Sequence, residues 1–422
     1  MTPRFLWPVF IFALSAAVGR AELVAEERAI AGWCEGKQEE MIALLEKAVR
    51  IDSRTENHAG VKEVGDLFAG ELQALGFTPR WIEQPAELER GGHLFAQRLG
   101  QRGKRLLLIG HLDTVLRGGS FERDGNIGRG AGVNDMKGGD VVLIFALKAL
   151  QAFGALENTQ IIVAMTGDEE MPGIPVSSSR QDLVAAAQRS DIALAFETGR
   201  AGEGTVARRG SSTWNLEVTG PTAHSMGMFS AALGSGAVYE AARILDQFHT
   251  QLRKEPGLTA NVGLIAGGAE VKDEGLRFTA EGKTNIIPPR VLARGDLRAT
   301  SPEQLARAET VMREIAAKNG LRTEARLTFV HRYPPMPPLP KNLEVLAMLD
   351  AVSRDLGEGE VRATEPALRG AGDSAFASPH AAVLDGLGPF GAGSHTDRET
   401  VDLKSLPAQA ARAAVLIYRL TR

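Results

Sequence analysis

An imidazole and a carboxylate stand two residues apart in Gly110-His111-Leu112-Asp113-Thr114, where the apolar run Leu106-Leu107-Leu108-Ile109 ends. In extended chain that spacing puts both side chains on one face, so the carboxylate can orient a ring that binds a cation. Four further stretches carry oxygen or nitrogen donors beside small residues: Gly130 to Gly139 with Asn134-Asp135, Thr166-Gly167-Asp168-Glu169-Glu170, Phe196-Glu197-Thr198-Gly199, and Gly393-Ser394-His395-Thr396-Asp397. A strand-end histidine or a Glu-Glu pair alone says little. Five segments that agree on one chemistry say more.

Two divalent cations held side by side need a shared carboxylate, and terminal ligands that leave room for water. Asp135, in a glycine-dense loop that lets the backbone come close, reads as the bridge. His111 and Glu197 would complete one ion, Glu170 and His395 the other. Open positions on both ions would make the centre catalytic rather than structural. Glu169 is then left without a metal, because adjacent residues of extended chain point different ways. It reads as the general base, taking a proton from the water between the ions and returning it to the departing amine. That double duty predicts a raised pKa.

The elements that must position these groups are legible as an α/β alternation. A helical pattern covers 22–52, an amphipathic helix runs near Val61 to Leu75, and strands at Leu106–Ile109, Gln160–Thr166 and Ile192–Phe196 alternate with helices near 139–153 and 181–188. This rhythm predicts a mostly parallel sheet covered by helices, with the ligand site outside the carboxyl ends of its strands. From Arg208 the texture changes. Strands at 213–219, 260–265, 284–287 and 291–297, with helices at 234–252 and 302–319, predict an inserted α+β unit, two helices on one face of an antiparallel sheet. Five prolines between Pro334 and Pro340 read as an extended connector, and helices near 342–356 and 406–420 follow. The expected division is a signal peptide over 1–21, a first catalytic part over 22–207, the insert over 208–324, and a second catalytic part over 325–422.

With 422 residues, 44% hydrophobic and 24% charged, the chain has apolar material for two cores. A formal net charge of −4 and the lack of a basic stripe interleaved with aromatics give no reason to expect nucleic acid. Arg4, the apolar run Phe5 to Val18 and the small residues of Gly19-Arg20-Ala21 read as a secretory signal cleaved after Ala21, placing the mature protein in the periplasm or outside the cell. A retained anchor is the alternative, and the run is short for spanning a bilayer. The one cysteine, Cys34, excludes an intramolecular disulfide and has no nearby histidine to activate it. Gly128-Arg129-Gly130-Ala131-Gly132 has the wrong spacing for a dinucleotide loop, and His-Glu-x-x-His is absent from the sequence. His58, His93, His249, His331 and His380 lack ligand-like company.

His111-x-Asp113, the run Asn134-Asp135-Met136-Lys137-Gly138-Gly139, Glu169-Glu170, Glu197 and His395 resemble the di-zinc metallopeptidases that include glutamate carboxypeptidase, aminoacylase and succinyl-diaminopimelate desuccinylase. The resemblance covers essentially the whole mature chain. It implies Asp113 as the orienter of His111, Asp135 as the bridge with a cis peptide to the next residue, Glu169 as base, and the insert as a lid that forms a homodimer. It also implies two Zn2+ ions, with Co2+ or Mn2+ as alternatives. His224, in Thr219-Gly220-Pro221-Thr222-Ala223-His224-Ser225-Met226-Gly227, matches the lid histidine that polarises the scissile carbonyl, in cis or across a dimer. Asn285 and Arg298 match lid positions that bind substrate, and a guanidinium suits a carboxylate because it binds in two-pronged fashion. Gly370-Ala371-Gly372-Asp373-Ser374-Ala375 resembles the substrate loop, with Gly372 as a backbone donor and Asp373 shaping the loop. Arg208 and Arg209 could meet an acidic side chain.

The expected activity is zinc-dependent hydrolysis of an amide next to a free carboxylate in a small peptide or N-acyl amino acid, most simply by a carboxypeptidase of the glutamate type. An aminoacylase or dipeptidase on the same scaffold is the alternative within enzymes. An inactive exported peptide- or metal-binding protein is the alternative from another class, against which the intact Glu169 weighs.

Overall fold

The computed structural model describes residues 23–422, so the signal segment expected at 1–21 lies outside the described residues. A six-stranded sheet forms the centre of the larger unit, in the order Thr78–Ile82, His93–Arg98, Thr159–Thr166, Arg102–His111, Ile192–Ala195, Ala382–Leu384. The last four are parallel, as the strand and helix alternation requires. The first two add an antiparallel edge. Pro79 sits in the outermost strand, where a missing N–H costs no ladder bond, and that proline hides the strand from a reading of the sequence.

Alternation along Arg102–His111 sends Leu106 and Leu108 to one face and Leu107 and Ile109 to the other. The first face is covered by helices Ala25–Glu35, Gln38–Arg50, Lys137–Ala152 and Ser405–Leu420, the second by Gln181–Gln188. Each buried leucine contributes about 1.5–3 kcal/mol by leaving water. The helical pattern over 22–52 is therefore two helices, broken at Gly36-Lys37. Among the described residues no helix is long and apolar enough to cross a membrane.

The insert is a four-stranded antiparallel sheet in the order Thr259–Gly268, Arg290–Arg298, Ser211–Thr219, Glu324–Tyr333. Helices Gly236–Leu252 and Pro302–Ala317 cover one face, where Trp214, Leu216, Val218, Val291 and Leu297 bury against Ile244, Phe248 and Met312. Two details differ from expectation. Residues 284–285 form a turn and Ile286 makes only an isolated antiparallel bridge, to His224, while a hairpin of Glu270–Asp273 with Phe278–Glu281 precedes it. The sheet also runs past 324: Glu324–Tyr333 pairs along the whole of Ser211–Thr219, so the insert extends to Tyr333. Ala325, Leu327 and Phe329, which pack on the insert core, are the period-two signal of that strand.

The chain passes between the units at two adjacent places. Arg208 and Met336 exchange main-chain hydrogen bonds, each 2.9 Å long, so both crossings are tied into one short ladder.

Cys34 lies fully buried in the larger core. Burial, with the charge of Glu35 adding, pushes its thiol up to about 12. The native protein is expected to resist thiol alkylation in mildly alkaline buffer and to be labelled once denatured; rapid labelling of the folded protein would contradict the packing of Ala25–Glu35.

Candidate metal centre and hydrolytic site

Three strand ends converge on one pocket. His111 closes Arg102–His111, Glu169 and Glu170 follow Thr159–Thr166, and Glu197 follows Ile192–Ala195. Asp135 lies in the loop ahead of Lys137–Ala152, and its peptide to Met136 is cis. Close approach explains two of the glycines. A Cβ on Gly110 would sit 2.0 Å from Asp140 Oδ1, and one on Gly139 would sit 1.9 Å from the Phe196 carbonyl oxygen, so neither the histidine strand nor the helix could reach its place with a larger residue. His395 has a left-handed backbone, φ 65°, a conformation uncommon in non-glycine residues that histidine adopts more readily than most.

Nε2 of His111 lies 3.4 Å from Asp135 Oδ1 and 3.7 Å from Glu197 Oε1. Nε2 of His395 lies 3.1 Å from Glu170 Oε2 and 3.2 Å from Asp135 Oδ2. Asp135 thus stands between a His111–Glu197 pair and a His395–Glu170 pair. Donor atoms of His111, Asp135 and Glu170 lie within 4.8 Å of one another, and so do those of His111, Glu169 and Glu197. Glu169 therefore faces the same pocket. His111 Nε2 and Glu170 Oε1 are buried without a hydrogen-bond partner among the described residues, as atoms prepared for a cation would be. Two imidazole nitrogens and a set of carboxylates is a donor set that suits zinc.

Electrostatics say the same. Burial opposes protonation of His111, but its contacts with Asp113 and Asp135 and the charges of Glu169 and Glu197 outweigh it and raise its pKa well above the imidazole range. Hydrogen bonds to Asp135 and Glu170 lift His395 to about 11. Burial and the neighbouring Asp135 charge lift Glu197 to about 7, and burial is the main cause of the rise of Glu170 to about 7. Glu169 is raised well above the carboxylate range by burial first and then by Glu197, Glu170 and Asp373. These shifts mark the positions that favour positive charge, where a bound cation would compete with protons.

Asp113 reaches more than the ring of His111. The ring of His111 is held mainly by the Asp113 main-chain oxygen, 3.0 Å from Nδ1, with the carboxylate farther off at 3.5 Å. That carboxylate accepts hydrogen bonds from Thr55 Oγ1 at 2.7 Å, the Glu169 N–H at 2.9 Å and the Glu170 N–H at 3.1 Å. It orients the Glu-Glu segment as much as the ring.

Glu399 was not anticipated. Its buried carboxylate accepts from the N–H groups of Gly132 at 2.8 Å and of Asn134 and Asp135 at 2.9 Å each. The stretch that supplies His395 thus also clamps the loop that supplies Asp135. The only signal was a glutamate four residues after the histidine, which no spacing rule marks.

Among the described residues, His224, Asn285 and Arg298 share no hydrogen bond or ion pair with the cluster. His224 and Asn285 are both exposed and lie 3.4 Å apart (Nε2 to Nδ2), and the Met226 N–H donates to His224 Nδ1 at 3.2 Å. Arg298 donates to Asp296 Oδ2 at 2.9 Å, and the carbonyl of the next residue, Ala299, accepts from the Gly210 N–H at 2.8 Å. Gly372 packs on the guanidinium of Arg208, where a Cβ would sit 3.0 Å from Cζ. Arg208 itself is buried, donating from Nε to Asp385 at 2.7 Å and from Nη1 to the carbonyls of Gly370 and Ala371 at 3.1 Å each. Its Nη2 lies 4.0 Å from Glu197 Oε2.

The model of the family described as Peptidase family M20/M25/M40 matches residues 107–419. Carboxypeptidase G2 of Pseudomonas sp. (strain RS-16) is 29% identical over 398 residues, covering 91% of this chain and 90% of that protein. Succinyl-diaminopimelate desuccinylase of Rhodospirillum centenum is 30% identical over 299 residues, covering 65% of this chain and 72% of that protein. Among solved structures, aminopeptidase PepT of Bacillus cereus shares the fold with a TM-score of 0.72 at 18% identity, covering 91% of this chain and 99% of that one.

Because the raised histidines must lose protons to bind metal, zinc affinity is expected to fall as pH falls. Glu399→Gln, which removes the charge from the loop clamp, is expected to weaken zinc binding about 10- to 100-fold, read by chelator competition. Unchanged affinity would show that the loop holds Asp135 without it.

Proposed function

This chain belongs to peptidase family M20/M25/M40, and from that premise we propose that it is a carboxypeptidase releasing a C-terminal amino acid such as glutamate from small peptides or N-acyl amino acids. In this reading two Zn2+ ions are held by His111, Asp135, Glu170, Glu197 and His395. The observation that carries it is the arrangement of two imidazole–carboxylate pairs on either side of Asp135, with Glu169 facing the same pocket.

Cations bound there would acidify a shared water and polarise the scissile carbonyl. Glu169 would accept a proton from that water and deliver it to the leaving amine, a double role that burial, by raising its pKa, favours. Asp113 fixes the peptide groups of Glu169 and Glu170, which keeps the base aimed at the pocket. Preference for an acidic residue is supported by three arginines. Arg208 Nη2, Arg209 Nε and Arg369 Nε are each buried without a hydrogen-bond partner among the described residues, and Arg208 and Arg369 both feel the charge of Glu197. A substrate carboxylate would satisfy such donors. Gly372, packed on Arg208, offers its main chain beside them, and Arg298 supplies a further guanidinium from the insert.

The reading extends to an exported homodimer. The apolar leader supports export. Thr259–Gly268 is an edge strand of the insert sheet with exposed Val262 and Ile265, a surface suited to pairing with a second copy. In such a dimer the exposed His224 and Asn285 would reach the partner's substrate carbonyl.

Zinc-loaded protein is expected to hydrolyse N-acyl-glutamate faster than N-acyl-alanine or simple dipeptides, and the reverse order would favour the aminoacylase or dipeptidase reading. Glu169→Gln should lower kcat about 10²- to 10⁴-fold with metal content unchanged. Since the base must be ionised and its pKa is raised, kcat/KM of the wild type should decline with acidification already above the usual carboxylate range; a flat profile there would argue against Glu169.

A further inference from the structure

Beneath the Glu169-Glu170 segment lies a polar network that the hydrolytic reading does not use. Arg180 is fully buried. It donates from Nη1 to Asp168 Oδ1 at 2.5 Å, from Nε to Asp373 Oδ1 at 2.6 Å, and from Nη2 to the main-chain oxygen of Asp168 at 3.2 Å and to the Tyr333 hydroxyl at 3.4 Å. The Tyr333 hydroxyl in turn donates to the main-chain oxygen of Glu169. Asp373, in the glycine-rich loop, accepts from Thr166 Oγ1 at 2.6 Å.

The peptide units around Glu169 are thus held from two sides. Asp113 takes their N–H groups, and Arg180 with Tyr333 takes their carbonyls. The two holders differ in origin. Asp113 and Arg180 belong to the larger unit, whereas Tyr333 is the last residue of Glu324–Tyr333, the insert strand that returns the chain through the second crossing. Its ring packs against Phe376 in a tilted pair, centroids 5.6 Å apart, and Arg180 lies over the Phe376 ring at 6.0 Å.

We propose that Tyr333 is a positioning residue for the general base: its hydroxyl links the insert's return strand to the Glu169 carbonyl, so that the placement of the insert sets the aim of the Glu169 carboxylate. This rests on the reading of Glu169 as base. Where the strand shifts relative to the sheet, the Glu169–Glu170 peptide shifts with it, while His111, Asp135, Glu197 and His395, carried by other peptides, stay in place. The link therefore acts on the base and on the backbone of the Glu170 ligand beside it, and assay at saturating zinc isolates its effect on the chemical step.

Tyr333→Phe removes the hydroxyl and keeps the ring on Phe376. The expected result, measured at saturating zinc, is a fall in kcat of about 10- to 100-fold with KM within about twofold of wild type, the size of loss that misplacement of a catalytic group by about 1 Å produces. A double-mutant cycle with Glu169→Asp separates positioning from general loosening. In the shortened-base background the hydroxyl has little left to aim, and the Tyr333→Phe penalty should shrink toward unity. An unchanged kcat in Tyr333→Phe, or an equal penalty in both backgrounds, overturns the proposal. Full activity in Glu169→Gln would instead remove the base assignment on which it stands, whereas an inactive Glu169→Gln beside a fully active Tyr333→Phe defeats the positioning role alone.

Discussion

Like charge gathered at low dielectric is the constraint on which this structure turns. Asp135, Glu169, Glu170 and Glu197 crowd around His111 in a largely buried pocket, with Asp113, Asp140 and Asp373 close behind. Each uncompensated carboxylate taken from water costs several kcal/mol. The protein's own compensation is incomplete: His111 and His395 hold protons between the acids, and Arg208 approaches Glu197 from the far side. What would complete it is the positive charge of two divalent ions. A fold that brings acids together this closely, while leaving His111 Nε2 and Glu170 Oε1 unpaired, is built around charge it does not itself carry.

Holding such a pocket in shape requires fixing main chain as well as side chains. Asp113 and Glu399, two carboxylates that belong to no donor pair, each bind successive N–H groups, one beneath the Glu-Glu segment and one beneath the Asp135 loop. Charge-assisted bonds of this kind are about twice as strong as neutral ones. They also let a single side chain register two or three peptides at once. The insert enters the same economy of contacts through the Arg208–Met336 ladder and the Tyr333 hydroxyl, so its attachment to the larger unit passes within one residue of the base.

The donor residues were legible in the sequence because their chemistry is carried by side-chain type and by position at strand ends, where Leu106–Ile109 and Gln160–Thr166 announce themselves by apolar runs. The parallel core and the two-helix insert were legible for the same reason. Glu399, Arg180 and Tyr333 were not, since each acts on main-chain N–H or C=O groups, and those are identical at every position. Asp113 was read as a ring orienter from its spacing, but which of its oxygens reaches the ring depends on the turn after His111. The strand Glu324–Tyr333 was passed over because its outward face is polar, with Arg326 and Thr328 between the apolar positions. Residues 284–287 misled in the other direction, as Ile286 and Ile287 suggest a strand but only a single bridge from Ile286 to His224 forms, with Pro288 and Pro289 following at once.

The central claim is that the two imidazole–carboxylate pairs and Asp135 between them hold two cations. Anomalous diffraction at the zinc edge from crystals of zinc-loaded protein tests it most directly. Two peaks are expected, one between His111 and Glu197 and one between Glu170 and His395, with Asp135 reaching both. A single peak, or peaks bound by other residues, would contradict it.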